Sequence, residues 1–344
     1  MALSVLSYNE VMIKVGFIGI GGMGSYQATS FARVSGCRVE AGADPSEASR
    51  TQFQKAFPGA RMFEAYRDLL RDADVDAVVI AVPTGLHAKV ARDALKAGKP
   101  TLLEKPMART VAQCKTILEA SKRHKTFLMI AQCRRYDPEW GAMAKVIHQG
   151  RLGRPILWRS VAAGLGPTNP WFMDDHSGGG PLLDGCVHNY DFGNYMFGDP
   201  ESVVSSGIKL DENVTAVDTG TVVVRYASGD QLMVCWSWSA RGLVLSDVVG
   251  PKAFLQFGPG PITPPKGNGK DRYHCITNRL GDSKLVRYTA KGNAMMDNQT
   301  RHFLKCIRGE AECKTPGEEA IKAVAIGEAA LRAAPGGQAR KVRW

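Results

Sequence analysis

MIKVGFIGIGGMGSYQATSFARV, residues 12–34, decides the fold. Its opening, MIKVGFI, has the apolar character of a buried strand. That strand runs straight into Gly19-Ile20-Gly21-Gly22-Met23-Gly24, and from there into a helix-compatible stretch. Gly19 permits a tight turn, Gly21 lets a pyrophosphate approach the backbone, and Gly24 lets the helix pack close to the strand. Gly22 and Met23 complete the turn, so that the helix N-terminus faces the phosphates. A GxGxxG alone is weak evidence, because glycine turns are common; the context makes it specific. A second apolar strand, CRVEAGA, ends at Asp44, where a carboxylate accepts hydrogen bonds from the adenosine ribose. The competing reading is a glycine turn followed by a helix-capping Asp. Asp44 favours NAD, since it repels a 2′-phosphate, while Ser46 and Arg50 just beyond it leave NADP possible.

The alternation continues along the chain. RTQFQKAF and AYRDLLRD read as helices, and VDAVVIAV (residues 75–82) as a continuous apolar strand. Pro83-Thr84 breaks the chain before the helix GLHAKVARDALKAG, and TLLEKP, ARTVAQCKTILEASKRH and TFLMIAQC read as strand, helix and strand. Strands separated by helices predict a doubly wound parallel sheet, with ligands bound beyond the strand carboxyl ends. Glu104-Lys105-Pro106 stands at such an end and aims a lysine at the cleft; the alternative is a solvated surface lysine. Pro83, Thr84 and His87 fall on the nicotinamide side of the same cleft, although His87 reads equally as an ordinary helix-start histidine.

Beyond about residue 136 the pattern changes. RPILWRSVAAG, SVVSSGIKL, TGTVVVRYA and QLMVCWSWSA are strands joined mostly by turn residues, which predicts an antiparallel sheet. Leu232, Val234, Trp236 and Trp238 share one face, as core or as a subunit interface. Residues 258–282 read as a long Pro/Gly-rich connection, an oligomer arm or a lid. Thr315-Pro316-Gly317-Glu318 is a capping box with proline at the first helical position, opening an Ala-rich helix, and ARKVRW reads as a final strand. The predicted fold class is α/β: an N-terminal Rossmann sheet (residues 12–135), then an α+β domain with an open, mostly antiparallel sheet for substrate and oligomerisation (136–344). The helix at 316–333 is placed to pack back on the first domain.

A chain of 344 residues with 44% hydrophobic and 22% charged residues is a soluble globular protein of about two domains. No apolar run suffices for a membrane span, and the opening MALSVLSYNE lacks the features of a secretory signal. The first eleven residues read as a loose extension. Eight cysteines with no CxxC predict reduced thiols in a cytoplasmic protein, and the seven histidines form no zinc pattern, so no metal is expected. The net charge of +11 suits phosphate-bearing cofactors or acidic substrates, or merely keeps the protein soluble, and no Lys/Arg run with interleaved aromatics points to nucleic acid.

GGGPLLDGCVHNYD, residues 178–191, places Asp184 and His188 one helical turn apart. With the GxGxxG, AVPTGLHA and EKP in this order, the chain resembles the Gfo/Idh/MocA family, which contains glucose–fructose oxidoreductase and inositol dehydrogenase. The resemblance covers nearly the whole chain. It implies a Rossmann domain, a C-terminal open sheet that often forms the subunit interface of a dimer or tetramer, and NAD(P)-dependent oxidation of a sugar or cyclitol hydroxyl or reduction of the ketone. It further implies that Lys105, Asp184 and His188 complete the site. A secondary alcohol that loses a hydride must also lose a proton, so a base with a pKa near working pH is needed. His188 suits that role, Asp184 would orient its imidazole, stabilise its protonated form or hold a neighbouring hydroxyl, and Lys105 would stabilise the developing alkoxide. The competing reading is a helix-capping Asp184 and a satisfied buried His188. Arg135, Trp171, Asp175, His176 and Asn189 are further candidates for substrate contact, with Arg134 beside them and an interdomain salt bridge as the alternative for the arginines. Cys186 stands where glycine is usual, and Thr84 where Asn is, which leaves substrate identity open. Transient oxidation for elimination or epimerisation, with cofactor retained, is the second functional reading, and a non-catalytic dinucleotide sensor the third.

Overall fold

The structure, a computed structural model, describes residues 12–71, 74–265 and 269–344; the expected loose extension at 1–11 lies outside them. Strands β1 (Ile13–Ile18), β2 (Cys37–Ala43), β3 (Arg61–Phe63), β4 (Ala77–Ile80), β5 (Thr101–Leu103) and β6 (Leu128–Ile130) form a parallel sheet in the order 3-2-1-4-5-6. Helices α1 (Gly22–Arg33), α2 (Glu47–Ala56), α3 (Tyr66–Arg71), α4 (His87–Lys96) and α5 (Val111–His124) lie between the strands in sequence. β4 is buried along its whole length, as expected where helices cover both faces and no side is left for polar residues. The strand order reverses between β1 and β4, and the carboxyl ends there open the crevice that positions the site.

After β6, helix α6 (Pro138–His148) leads into a second sheet. Its strands are β7 (Leu157–Ala163), β8 (Pro200–Ile208), β9 (Thr219–Tyr226), β10 (Gln231–Ser237), β11 (Val244–Val249), β12 (Ala253–Phe257), β13 (Asp271–Asn278), β14 (Ser283–Thr289) and β15 (Arg340–Lys341). They stand in the order 14-13-12-11-7-10-9-8-15. Among the described residues every neighbouring pair is antiparallel except β7–β10. The stretch 258–282 is therefore not one long connection. Its second half is β13, which hydrogen-bonds to both β12 and β14 and buries His274 and Cys275. The glycines and prolines crowd its first half and mask the strand that follows.

Helix α7 (Val187–Phe197) covers one face of this sheet, where Trp158, Tyr190, Phe192, Tyr226, Leu232 and Val234 form a core. That packing corrects the interface reading of the β10 face. Leu232 and Val234 are fully buried under this chain's own helix, and Trp236 packs against the same cluster. Trp238 falls beyond the strand end, against Gly166 and Gly185 and edge-on to Phe172. Among the described residues the opposite face is the uncovered one, with Val204, Ile208, Leu245 and Val249 exposed on it.

Two C-terminal helices return to the first sheet, where one was expected. α8 (Ala294–Ile307) lies along α1: the Phe303 and Phe31 rings are 6.1 Å apart, and Asp297 Oδ1 accepts from Ser30 and Arg33. α9 (Gly317–Ala333) sends Ile321 and Val324 into the Rossmann core and Ile326 and Ala330 into the other. Pro316 sits at the cap of α9 and not at its first turn. Thr315 is drawn away from capping because its carbonyl accepts from Ile130 N and its hydroxyl meets Tyr136. No helix among the described residues is long and apolar enough to cross a membrane.

Candidate active site

The glycine turn has the shape that the motif demands. Gly19 has φ +80°, and a Cβ there would lie 2.7 Å from Ala81 O. A Cβ at Gly24 would lie 1.9 Å from Gly19 O, so the start of α1 sits directly on the turn. At Gly21 and Gly22 a Cβ would meet nothing within 4 Å, and Met23 is exposed. The α1 N-terminus has no side-chain cap, so its first amides face open space that suits an anion. Asp44 stands at the end of β2, with Oδ2 accepting from Ile20 N at 3.1 Å and Oδ1 from Ser46 N at 2.9 Å. Arg50 donates to the Asp44 and Pro45 carbonyls, which fixes a guanidinium beside that carboxylate. Open space over two glycines, an uncapped helix start and a strand-end carboxylate together fit an adenine dinucleotide.

Three segments converge at the strand ends. Thr84 opens a short 3-10 turn after Pro83, Lys105 follows β5, and Asp184 lies in a π-helical turn over Pro181–Gly185. Lys105 Nζ donates to Asp184 Oδ1 at 2.8 Å and to its carbonyl at 3.2 Å, and Thr84 Oγ1 lies 3.3 Å from Oδ2. Burial disfavours the Lys105 ammonium, but Asp184 and then Glu104 outweigh it and raise the pKa above the usual lysine value. The Glu104 carboxyl is itself pushed up by burial, although it accepts from Gln27 Nε2 at 2.6 Å and from Lys105 N.

His188 sits on α7, one turn beyond Asp184. Of the roles open to Asp184, among the described residues its carboxylate meets a hydroxyl and an ammonium, and not the His188 imidazole. The π turn, closed by Cys186 N on Pro181 O, separates Asp184 from the regular helix, and Asp184 turns to Lys105 and Thr84. His188 Nδ1 is buried, with no hydrogen-bond partner among the described residues. Burial, then the positive charges of Lys105 and Arg134, hold the His188 pKa well below the usual imidazole value.

The remaining candidates divide. His87 is buried and has both ring nitrogens against backbone carbonyls, Nδ1 2.7 Å from Pro106 O and Nε2 2.8 Å from Val82 O. Arg135 is a correction. Its guanidinium pairs bidentately with Asp191 and donates to Lys314 O, leaving a side chain only 6% exposed, as the salt-bridge alternative has it. Asn189 turns into the sheet and donates to Ser160 Oγ. Trp171 stacks on Phe172 with ring centroids 3.7 Å apart, and exposed His176 shares its loop. The His176 carbonyl and Ser177 come within 3.5 Å of a Cβ at Gly85, so this loop arches over the Thr84 turn. Asp175 is held by Arg109 through its carbonyl at 2.7 Å and Oδ1 at 2.8 Å. Arg109 and Gln27 are missed in the sequence, because neither lies in a motif and only their partners across the fold give them a role.

Residues 13–132 match the oxidoreductase family with the NAD-binding Rossmann fold, and residues 140–256 match the Gfo/Idh/MocA C-terminal domain. The chain is 26% identical to inositol 2-dehydrogenase of Rhizobium meliloti (strain 1021) over 331 residues, 93% of this chain and 96% of that one. It is 34% identical to inositol 2-dehydrogenase 2 of Saccharopolyspora erythraea over 189 residues, a match that spans 54% of each chain. A solved levoglucosan dehydrogenase, in complex with NADH and levoglucosan, shares its fold with a TM-score of 0.83 at 19% identity, covering 97% of this chain and 100% of that one. Family matches over residues 13–132 and 140–256, a glycine turn shaped for a dinucleotide and a lysine–carboxylate pair at the strand ends agree: the protein belongs to the Gfo/Idh/MocA family of NAD-binding oxidoreductases.

Proposed function

We propose that the protein moves a hydride between a nicotinamide cofactor and a secondary hydroxyl or ketone of a sugar, sugar derivative or cyclitol. The observation that carries the reading is the meeting of Lys105, Asp184 and Thr84 at the strand ends, one helical turn from His188. The inositol dehydrogenases among the relatives support the substrate class. Bound NAD supplies the hydride acceptor. Gly21 and Gly22 give its pyrophosphate room, and Asp44 suits its ribose. His188 takes the hydroxyl proton; its depressed pKa leaves the ring unprotonated before the reaction, though a weaker base than the near-neutral imidazole expected from the sequence. Lys105 stays protonated beside Asp184 and offers an N–H to the oxygen as negative charge develops there. Lys105 is thus the charge stabiliser and His188 the base.

The test is a panel of polyols and sugars assayed by nicotinamide absorbance, in wild type and His188→Ala. The variant should lose about 10²-fold or more in rate while still binding cofactor. Full activity in a folded His188→Ala removes the proposed base. Cytoplasmic location and a homo-oligomer joined through the open sheet complete the reading. They rest on the free cysteines and on the apolar residues of the uncovered face.

A further inference from the structure

We propose that His87 is a positioning residue: its buried imidazole bridges the turn after β4 and the turn after β5, and thereby sets the place of Lys105 against Asp184. The inference rests on the assignment of those two residues to the reaction. His87 opens α4 and is 1% exposed. One ring nitrogen faces the carbonyl of Val82, two residues before Thr84, and the other faces the carbonyl of Pro106, next to Lys105. The side chains of Thr84 and Lys105 converge on the two oxygens of Asp184. The imidazole therefore spans the two backbone segments that hold this carboxylate. Both Asp184 and Lys105 are near enough to act on the ring, in opposite senses.

The residue type matters. Histidine carries nitrogens on two edges of a rigid ring, so one side chain reaches two carbonyls that face each other across it. A neutral ring donates to one carbonyl at a time, so each tautomer ties one turn while the rigid ring, wedged between the two carbonyls, keeps the spacing of both. A glutamine has both N–H groups on one nitrogen and links one turn only. Phenylalanine fills the space and links neither. Small displacements of a reacting group lower rates steeply, so looser turns should show in chemistry before they show in binding.

The experiment compares wild type, His87→Gln and His87→Phe. The first readout needs no turnover: lysines are reductively methylated with 13C formaldehyde, the Lys105 resonance is assigned with Lys105→Arg, and its amine is titrated by NMR. Lys105 should titrate lower in His87→Phe than in wild type, because its ammonium loses the hold of Asp184, with His87→Gln between them. NADH affinity, by fluorescence, should stay within about threefold, and kcat on the best polyol should fall about 10²-fold in His87→Phe with KM little changed. Identical Lys105 titrations in folded wild type and His87→Phe overturn the proposal. So does a loss confined to NADH affinity, which would return His87 to cofactor binding. If His87→Phe does not fold, His87→Gln carries the comparison, and a wild-type titration in that variant overturns it equally. Absence of polyol turnover in wild type would refute the functional reading alone and leave the titration decisive for His87.

Discussion

Lys105 Nζ lies 2.8 Å from Asp184 Oδ1, across 79 residues of chain, and so takes the carboxylate that helical spacing offers to His188. The ammonium and the carboxylate are both largely buried, at 15% and 3% side-chain exposure. They are worth most as a pair. Removal of either partner leaves a charge in a site that water scarcely reaches.

That arrangement predicts a double-mutant asymmetry. Asp184→Leu or Lys105→Met alone should destabilise the fold by about 3–5 kcal/mol, because one buried charge is left uncompensated. The double variant Lys105→Met/Asp184→Leu should recover much of this stability, yet stay inactive. Urea unfolding with parallel assays checks both; a double variant as unstable as the sum of the singles contradicts the pairing.

The His188 imidazole sets a pH dependence. Burial first, then Lys105 and Arg134, hold His188 below its unfolded value near 6.5. As pH falls below about 6.5 the unfolded chain takes up this proton before the native chain does, so stability present above 6.5 is lost towards the depressed folded value. The slope from one such group is at most about 1.4 kcal/mol per pH unit. Glu104 and Asp191, pushed up by burial, act in the opposite sense, so the effect is read as a difference. Between pH 7.5 and 5.5, wild type should lose more stability than His188→Gln. Parallel pH curves for the two proteins contradict the buried neutral imidazole.

Cofactor choice should turn on Asp44. Its carboxylate stands at the β2 end, with Arg50 held beside it by two carbonyls. Asp44→Ser removes the repulsion of a 2′-phosphate and leaves the guanidinium in place. NADP should gain at least about tenfold against NAD in kcat/KM, a shift of about 1.4 kcal/mol in relative transition-state binding. Unchanged discrimination would remove Asp44 from cofactor selection.

The uncovered face of the second sheet should join copies of the chain. Leu245 and Val249 of β11 and Val204 and Ile208 of β8 expose apolar side chains there. Leu245→Asp with Val204→Asp should shift the protein from an oligomer to a monomer in sedimentation, with the Rossmann half still binding NADH. A monomeric wild type would refute the assembly.

Much of this protein is legible in the chain alone. The glycines at 19, 21 and 24, Asp44 at a strand end and the buried run of β4 are local signals, since turn geometry, close approach and period need only neighbours in sequence. Signals fail where the cause is not local. β13 hides behind a Pro/Gly-rich lead-in, and α8 carries no motif, so its place on α1 depends on Phe31, Ser30 and Arg33. Asp184 and His188 have helical spacing, but the π turn and the nearby ammonium of Lys105 redirect the carboxylate. Arg135 and Asn189 stand near a strand end and on α7, yet their side chains meet Asp191 and Ser160.

The sequence by itself determined that a dinucleotide turn exists, which sheet it opens, and which residue types are present for redox chemistry. Only the tertiary structure decided who partners whom, because a buried charge takes the opposite charge that the fold brings nearest, whatever the distance along the chain.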